Sequence, residues 1–298
     1  DYFIKVGSPL RDIRTPIIYL LLLIIMMLLV VLKRVDDRAT ELEKTLSLIE
    51  EQYEKIPEII TPPSLQPRNK DEEKEEIIEG VIGIIIDDFG YRNDEVSDGF
   101  LKLDAKMTYA VIPGHSYSNL FGRKAVDAGY EVVVHMPLEN TGKTFGEEEF
   151  VLLTSMKEDE MIKRLNKALD EIPTAIGMNN HQGSKASADS SVVISIAKVI
   201  KERNLFFIDS RTTAESIIES TMESLNIPTA RRNVFLDNDD EEEKIIAQLM
   251  ELAQKASELG FAIGIGHVKP KTLSVLEKYI PILKQRGFKF EFVSKMLH

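Results

Sequence analysis

From residue 79 to the end of the chain, short apolar runs rich in β-branched residues alternate with amphipathic stretches, and this alternation restricts the fold more than any other feature. The runs predict strands over residues 81–88, 107–113, 130–135, 175–180, 205–209, 233–236, 261–266 and 288–293. Between them, residues 158–169, 192–203, 244–259 and 272–285 set apolar side chains three and four apart, the period of a helix with one buried face. A parallel strand pair needs a crossover long enough to hold a helix, so this alternation predicts a mainly parallel α/β sheet or barrel. No internal repeat, G-x-G-x-x-G or Walker sequence is present, and a nucleotide site is not expected.

The predicted strands end in chemistry. The first closes on Asp87 and Asp88, the third on His135, the fourth on Asn180 and His181, the fifth on Asp209, and the seventh on His267. In parallel α/β folds the carboxyl ends of the strands share one face, where functional groups collect. Three of the five histidines sit at such ends; His115 lies just past the second strand and His298 is the last residue. Taken singly, each has an ordinary structural explanation: an aspartate at a strand end caps a helix or holds a turn, and a lone histidine is a satisfied core or loop residue. Together they point to chemistry. Adjacent carboxylates repel, so a nearby cation or a shared proton is expected to stabilise them. The chain has no Cys, which leaves His, Asp and Glu to hold any transition metal.

The amino-terminal part reads differently. Residues 17–32, "IIYLLLLIIMMLLVVL", are flanked by Thr15-Pro16 and Lys33-Arg34. About 18 helical residues span roughly 27 Å, close to the hydrocarbon thickness of a bilayer. No small-residue cleavage site follows, so a retained membrane anchor is expected rather than a cleaved signal peptide or a buried core helix. Apolar residues then recur at four and three spacing from Val35 to Ile56, a pattern that predicts a coiled-coil stalk and hence homo-oligomerisation; an amphipathic helix on a surface is the other reading. A proline-containing charge run after it has linker composition. The expected organisation is therefore a tail over residues 1–16, an anchor over 17–32, a stalk over 33–58, a linker over 59–78 and a folded domain over 79–298. The chain begins at Asp1 rather than Met, so a trimmed or incomplete amino terminus is expected. A formal net charge of -12 argues against a nucleic-acid partner, since phosphate binding relies on clustered Lys and Arg.

"GIIIDDFG", "AGYEVVVHMPLE", "GMNNHQGS", "FFIDSRT" and "GIGHVKP" occur in that order, and together they resemble the divergent polysaccharide deacetylase family, a distant branch of the metal-dependent polysaccharide deacetylases. The resemblance runs from about residue 79 to the carboxyl terminus and implies a distorted, partly open (β/α) barrel. By it, Asp87 matches a catalytic base and Asp88 a metal ligand. His135 matches a second ligand, and His267 a general acid. The superfamily's H-[ST]-x-x-H motif is here "HMPLE", with Glu139 at its second ligand position. Either Glu139 is a carboxylate ligand or His181 is the third ligand, and His181 is preferred because imidazole suits zinc. The superfamily's R-P-P-Y segment is replaced by "NNHQGS", so its arginine is missing. Arg211 is expected to take over an orienting role, or else to form a structural ion pair with Asp209. A backbone N–H near Asn180 is expected to help an oxyanion.

The function so implied is a zinc-dependent, or other divalent-metal-dependent, deacetylase that removes N-acetyl or O-acetyl groups from an acetylated envelope polysaccharide. Cationic residues are tied across residues 17–32, Lys5, Arg11 and Arg14 against Lys33, Arg34 and Arg38, so charge leaves the orientation open. A single early anchor before a large domain predicts that domain on the periplasmic or extracellular side. Two other classes stand beside this one. A non-catalytic envelope binding or scaffold protein fits the stalk and the altered motifs. Hydrolysis of a phosphoester is disfavoured because no cluster of Lys and Arg accompanies the strand ends.

Overall fold

The computed structural model describes residues 26–28, 33–34, 78–142 and 147–298. Residues 26–28 and 33–34 are helical. Apart from these positions and residue 78, the expected tail, anchor, stalk and linker lie outside the described residues. No described helix is long and apolar enough to cross a membrane. A compact unit runs from Glu73 to His298.

Within it the elements alternate: β1 (Gly80–Phe89), α1 (Glu95–Phe100), β2 (Thr108–Val111), α2 (Ser118–Asp127), β3 (Glu131–Leu138), α3 (Glu158–Glu171), β4 (Gly177–Gln182), α4 (Ser190–Glu202), β5 (Phe206–Asp209), α5 (Ile218–Ser224), β6 (Thr229–Arg231), β7 (Val234–Phe235), α6 (Glu242–Leu259), β8 (Phe261–His267), α7 (Pro270–Gln285) and β9 (Phe288–Phe290). Local signals set several boundaries. Asp94 and Ser97 form a reciprocal cap on α1, and Asp189 accepts the backbone N–H groups of Ser191 and Val192 to start α4. Pro270 opens α7, where its missing N–H costs nothing, and Gly260 turns from α6 into β8 with φ 84°.

The sheet order is β6-β5-β4-β3-β2-β1-β8-β7, with every pair parallel. β8 takes one edge of β1, while β9 and β2 share the other, at its amino and carboxyl ends respectively. β6 and β7 terminate opposite ends of this order, yet only Arg232 and Asn233 separate them in the chain. A stretch that short reaches at most about 11 Å, so the sheet must curl until its edges nearly meet. The fold is a parallel α/β half-barrel, in line with the expected partly open barrel. The short strand Thr229–Arg231 was not foreseen, because three residues ending in an arginine carry no apolar period.

Two apolar layers follow from the alternation of strand side chains. Ile82, Ile84, Ile86 and Phe89 of β1 face the helices with Val132, Val134 and Met178. Ile85, Ala110, Val133, Ile208, Ile263 and Ile265 fill the inside of the curl, sealed at the amino ends of the strands by Val293 and Met296. Gly83 is needed there: a Cβ on it would lie 2.6 Å from the Met296 Sδ. Fully burying each large aliphatic side chain contributes about 1.5–3 kcal/mol, so both layers hold the curl closed.

Candidate active site

On an unbroken strand, Asp87 and Asp88 would point to opposite faces. β1 is not unbroken. Its ladder to β2 pairs Ile86 with Tyr109 and then Phe89 with Val111, so one extra residue is inserted on β1. The helix-facing series Ile82, Ile84, Ile86 accordingly continues at Phe89, and Asp88 is the inserted residue, with φ 70°. Such a bulge re-aims a side chain. A non-glycine residue in this region stores of order 1–3 kcal/mol, a strain concentrated at functional sites. Aspartate is among the residues that tolerate it best.

The remaining residues arrive by simple alternation. His135 has the parity of inward-facing Val133, and His267 that of Ile263 and Ile265, while on β4 the outward Met178 leaves Asn179 and His181 pointing in. Where the apolar interior stops, these polar side chains begin. His181 Nδ1 lies 3.1 Å from His135 Nε2 and 3.3 Å from Asp88 Oδ1, and His135 Nε2 lies 3.4 Å from the same oxygen. Asn179 joins this triangle to Asp87, since its amide nitrogen donates to Asp87 Oδ1 at 2.8 Å and its oxygen meets His135 Nδ1 at 2.8 Å. His135 therefore donates from Nδ1 and turns the Nε2 lone pair towards Asp88 and His181.

These residues fit a divalent cation. Two imidazoles and a carboxylate form a zinc-type donor set, and ligand atoms on a tetrahedral zinc lie about 3.3 Å apart. Asp88 Oδ1 is buried without a hydrogen-bond partner, an acceptor held where only a cation or a proton would satisfy it. Burial alone would lower the His135 pKa, but Asp87 and then Asp88 outweigh it and push it up to about 9. A field that draws a proton so strongly also favours a metal ion. The two aspartates are pushed apart: burial raises the pKa of Asp87 despite His135 and His267, whereas the two imidazoles overcome the burial of Asp88 and hold it well below the usual carboxylate range.

His267 faces Asp87 across the β1–β8 ladder. Its Nδ1 meets Asp237 Oδ1 at 2.8 Å, and its backbone N–H donates to Asp237 Oδ2 at 2.8 Å. The Thr272 hydroxyl donates to that second oxygen at 2.7 Å. Burial would lower the His267 pKa, but fully buried Asp237 raises it overall. Asp237 thus holds one ring nitrogen and favours the imidazolium form, with the other nitrogen left for chemistry.

A cavity of about 370 Å³ opens beside this cluster, lined by Asp87, His135, His181 and His267 and also by Arg211 and Arg232. Not every residue singled out in the sequence reaches it. The Glu139 carboxylate is held by Lys185 at 2.8 Å and by the backbone N–H and hydroxyl of Thr154, and it does not join the triangle. Asn180 lines the cavity and accepts the Ser210 backbone N–H through its side chain. Asp209 takes the backbone N–H of Arg211 rather than its guanidinium, together with the Ser216 hydroxyl, so the expected ion pair is a turn contact instead. Asn179, Asp237 and Arg232 were not singled out in the sequence. Asn179 stands beside a noted residue in "GMNNHQGS", but nothing local distinguishes Asp237 or Arg232 from other charged loop residues.

The sequence profile of a family described as divergent polysaccharide deacetylase matches residues 84–297. The chain is 29% identical over 204 residues to the uncharacterized protein YibQ of Escherichia coli K12, an alignment covering 68% of this chain and 63% of that protein. It is 31% identical over 196 residues to an uncharacterized protein of Haemophilus influenzae Rd, covering 66% of this chain and 69% of the other. The crystal structure of an uncharacterized protein from Agrobacterium tumefaciens C58 superposes with a TM-score of 0.70 at 22% identity, covering 74% of this chain and 89% of that one; the likeness is one of fold.

Proposed function

We propose a function from the fact that the chain belongs to the divergent polysaccharide deacetylase family. It is a metal-dependent hydrolase that removes N-acetyl or O-acetyl groups from a polysaccharide. One observation carries this reading: of two adjacent carboxylates, Asp88 lies inside a triangle of metal-type ligand atoms and Asp87 just outside it, tied to it through Asn179. Two carboxylates set apart in this way commonly divide into a permanent anion and a proton carrier.

Asp88, His135 and His181 would hold the metal, with zinc first among the candidates. A divalent ion there supplies Lewis acidity to an acyl carbonyl and to a water molecule, lowering the water's pKa towards 7. Asp87 takes the proton of the attacking water, and its raised pKa brings it nearer to neutrality, as a general base requires. Asn179 fixes the Asp87 carboxylate and the His135 ring in one arrangement. His267 donates a proton to the departing amine or alcohol, and Asp237 keeps that imidazole charged beforehand. Acetate and the free amine or hydroxyl are the products. Placement of the domain at the cell envelope, through a span over residues 17–32 and a self-associating stalk, is part of the same proposal and rests on the apolar run and heptad pattern there.

The deciding experiment measures metal content of the purified chain and acetate release from N-acetylated and O-acetylated glycans. Bound metal with acetate release supports the hydrolase. Bound metal without release from any acetylated glycan favours the non-catalytic binding protein, and absence of metal from chain incubated with zinc overturns the assignment of the ligands.

A further inference from the structure

The arginine wall of the cavity is not used by the mechanism above. Arg211 and Arg232 both line it, and among the described residues neither guanidinium makes an ion pair with a carboxylate. Arg232 is anchored on neutral acceptors: its Nε donates to the Ser210 carbonyl at 2.7 Å and one terminal nitrogen to the Arg211 carbonyl at 2.9 Å. Carbonyl anchors fix the fork in place without neutralising it. Arg211 is presented from a strained turn, φ 51°, which Asp209 stabilises by accepting its backbone N–H. Ser210, whose carbonyl holds Arg232, lines the same cavity, and its buried hydroxyl oxygen has no partner. Two guanidinium groups and an unpaired hydroxyl in one half-enclosed cavity form a donor set complementary to an anion. The notion that this site lacks the basic groups an anion requires holds for the strand ends but not for the folded cavity, where residues of the β5–α5 and β6–β7 loops meet.

The position of this set is informative. The Arg232 guanidinium stacks on Phe235 at 4.7 Å, and the Phe235 ring lies 5.3 Å from that of His267. Through Phe235, Arg232 thus stands on the side of the imidazole that would protonate the leaving group. We propose that the substrate is an acidic glycan, whose acyl-bearing sugar carries a carboxylate or phosphate that Arg211, Arg232 and Ser210 bind on the leaving-group side. The inference rests on the hydrolase reading for its orientation, but not for the existence of the anion site.

Titration calorimetry on the full chain tests it with four probes: an N-acetylmuramic-acid disaccharide, the same disaccharide with its carboxyl reduced to an alcohol, N-acetylglucosamine 6-phosphate and N-acetylglucosamine. Charge-assisted hydrogen bonds contribute about 1.5–3 kcal/mol, so an anionic probe is expected to bind at least about tenfold tighter than its neutral partner. Arg211→Gln and Arg232→Lys should each remove most of that preference; the second keeps the charge but loses the fork, and a normal thermal transition shows that the fold survives. Preference for the phosphate alone, or the carboxylate alone, identifies which anion the site takes. Equal binding of acid and alcohol and of phosphate and parent sugar, no binding of any probe, or a preference that survives both substitutions overturns the inference. Acetate release from neutral glycans without anionic preference would sink this proposal and leave the hydrolase standing. Anionic preference without acetate release from any glycan would do the reverse.

Discussion

Asp237 grips His267 twice, through Nδ1 and through the backbone N–H, each at 2.8 Å, across 30 residues of sequence. This clamp carries a pH signature. His267 has a raised pKa, so its contribution to stability is complete below an unfolded histidine's value of about 6.5 and fades as pH rises through the folded value. Hydrogen bonds from His267 and Thr272 overcome burial and lower the Asp237 pKa, so its contribution is present above about pH 3.9 and fades as pH falls through the folded value. Asp237→Asn should therefore cost most between about pH 4 and 6.5, by about 1.5–3 kcal/mol, and less on either side. Urea unfolding of both proteins across pH 3–9 checks this, and a cost independent of pH would refute it.

Asn179 should matter to a metal it does not touch. Replacing it with Ala frees the His135 ring and the Asp87 carboxylate at once. Loss of such a supporting contact typically lowers metal affinity about 10- to 100-fold. Competition of the Asn179→Ala chain with a zinc chelator measures this, and an unchanged affinity would mean that the ring needs no such support.

Ligand and base can be separated by substitution. Ala in place of Asp88, His135 or His181 should remove most bound metal, whereas Asp87→Asn should keep the metal and abolish acetate release. Glu139→Gln should leave metal content unchanged, because that carboxylate is already held by Lys185 and Thr154. Metal analysis decides: loss of metal in Glu139→Gln with retention in His181→Ala would move the third ligand to Glu139.

The bulge depends on packing beneath it. Phe89 stacks on Phe121 with ring centroids 3.9 Å apart and meets Phe100 edge-on at 5.7 Å. Phe89→Ala should cost about 3–5 kcal/mol, as for other buried aromatic residues. In a Phe89→Ala chain that still folds, metal affinity should also fall, because Phe89 fixes the phase that turns Asp88 inward. Thermal melts and metal titration of Phe89→Ala and Phe89→Leu report the two effects separately.

Strand positions, the parallel sheet and the gathering of Asp87, Asp88, His135, His181 and His267 at one end were legible in the sequence, because each follows from a local period or from the end of an apolar run. The four long helices lie close to where apolar spacing put them, at Glu158–Glu171, Ser190–Glu202, Glu242–Leu259 and Pro270–Gln285. Which carboxylate joins which imidazole was not legible. Asp88 turns inward only because an inserted residue shifts the phase of β1 against β2, and register is a property of two strands rather than one. The motif left both Glu139 and His181 open as the third ligand, with His181 preferred; that the Glu139 carboxylate is taken up by Lys185 and Thr154 while His181 lies beside Asp88 and His135 depends on the fold. Asp237, Asn179 and the pair Arg211 and Arg232 acquire meaning only from partners brought near by folding. Short-range patterning is written in each segment, whereas distances between side chains from separate strands and loops depend on how the sheet curls.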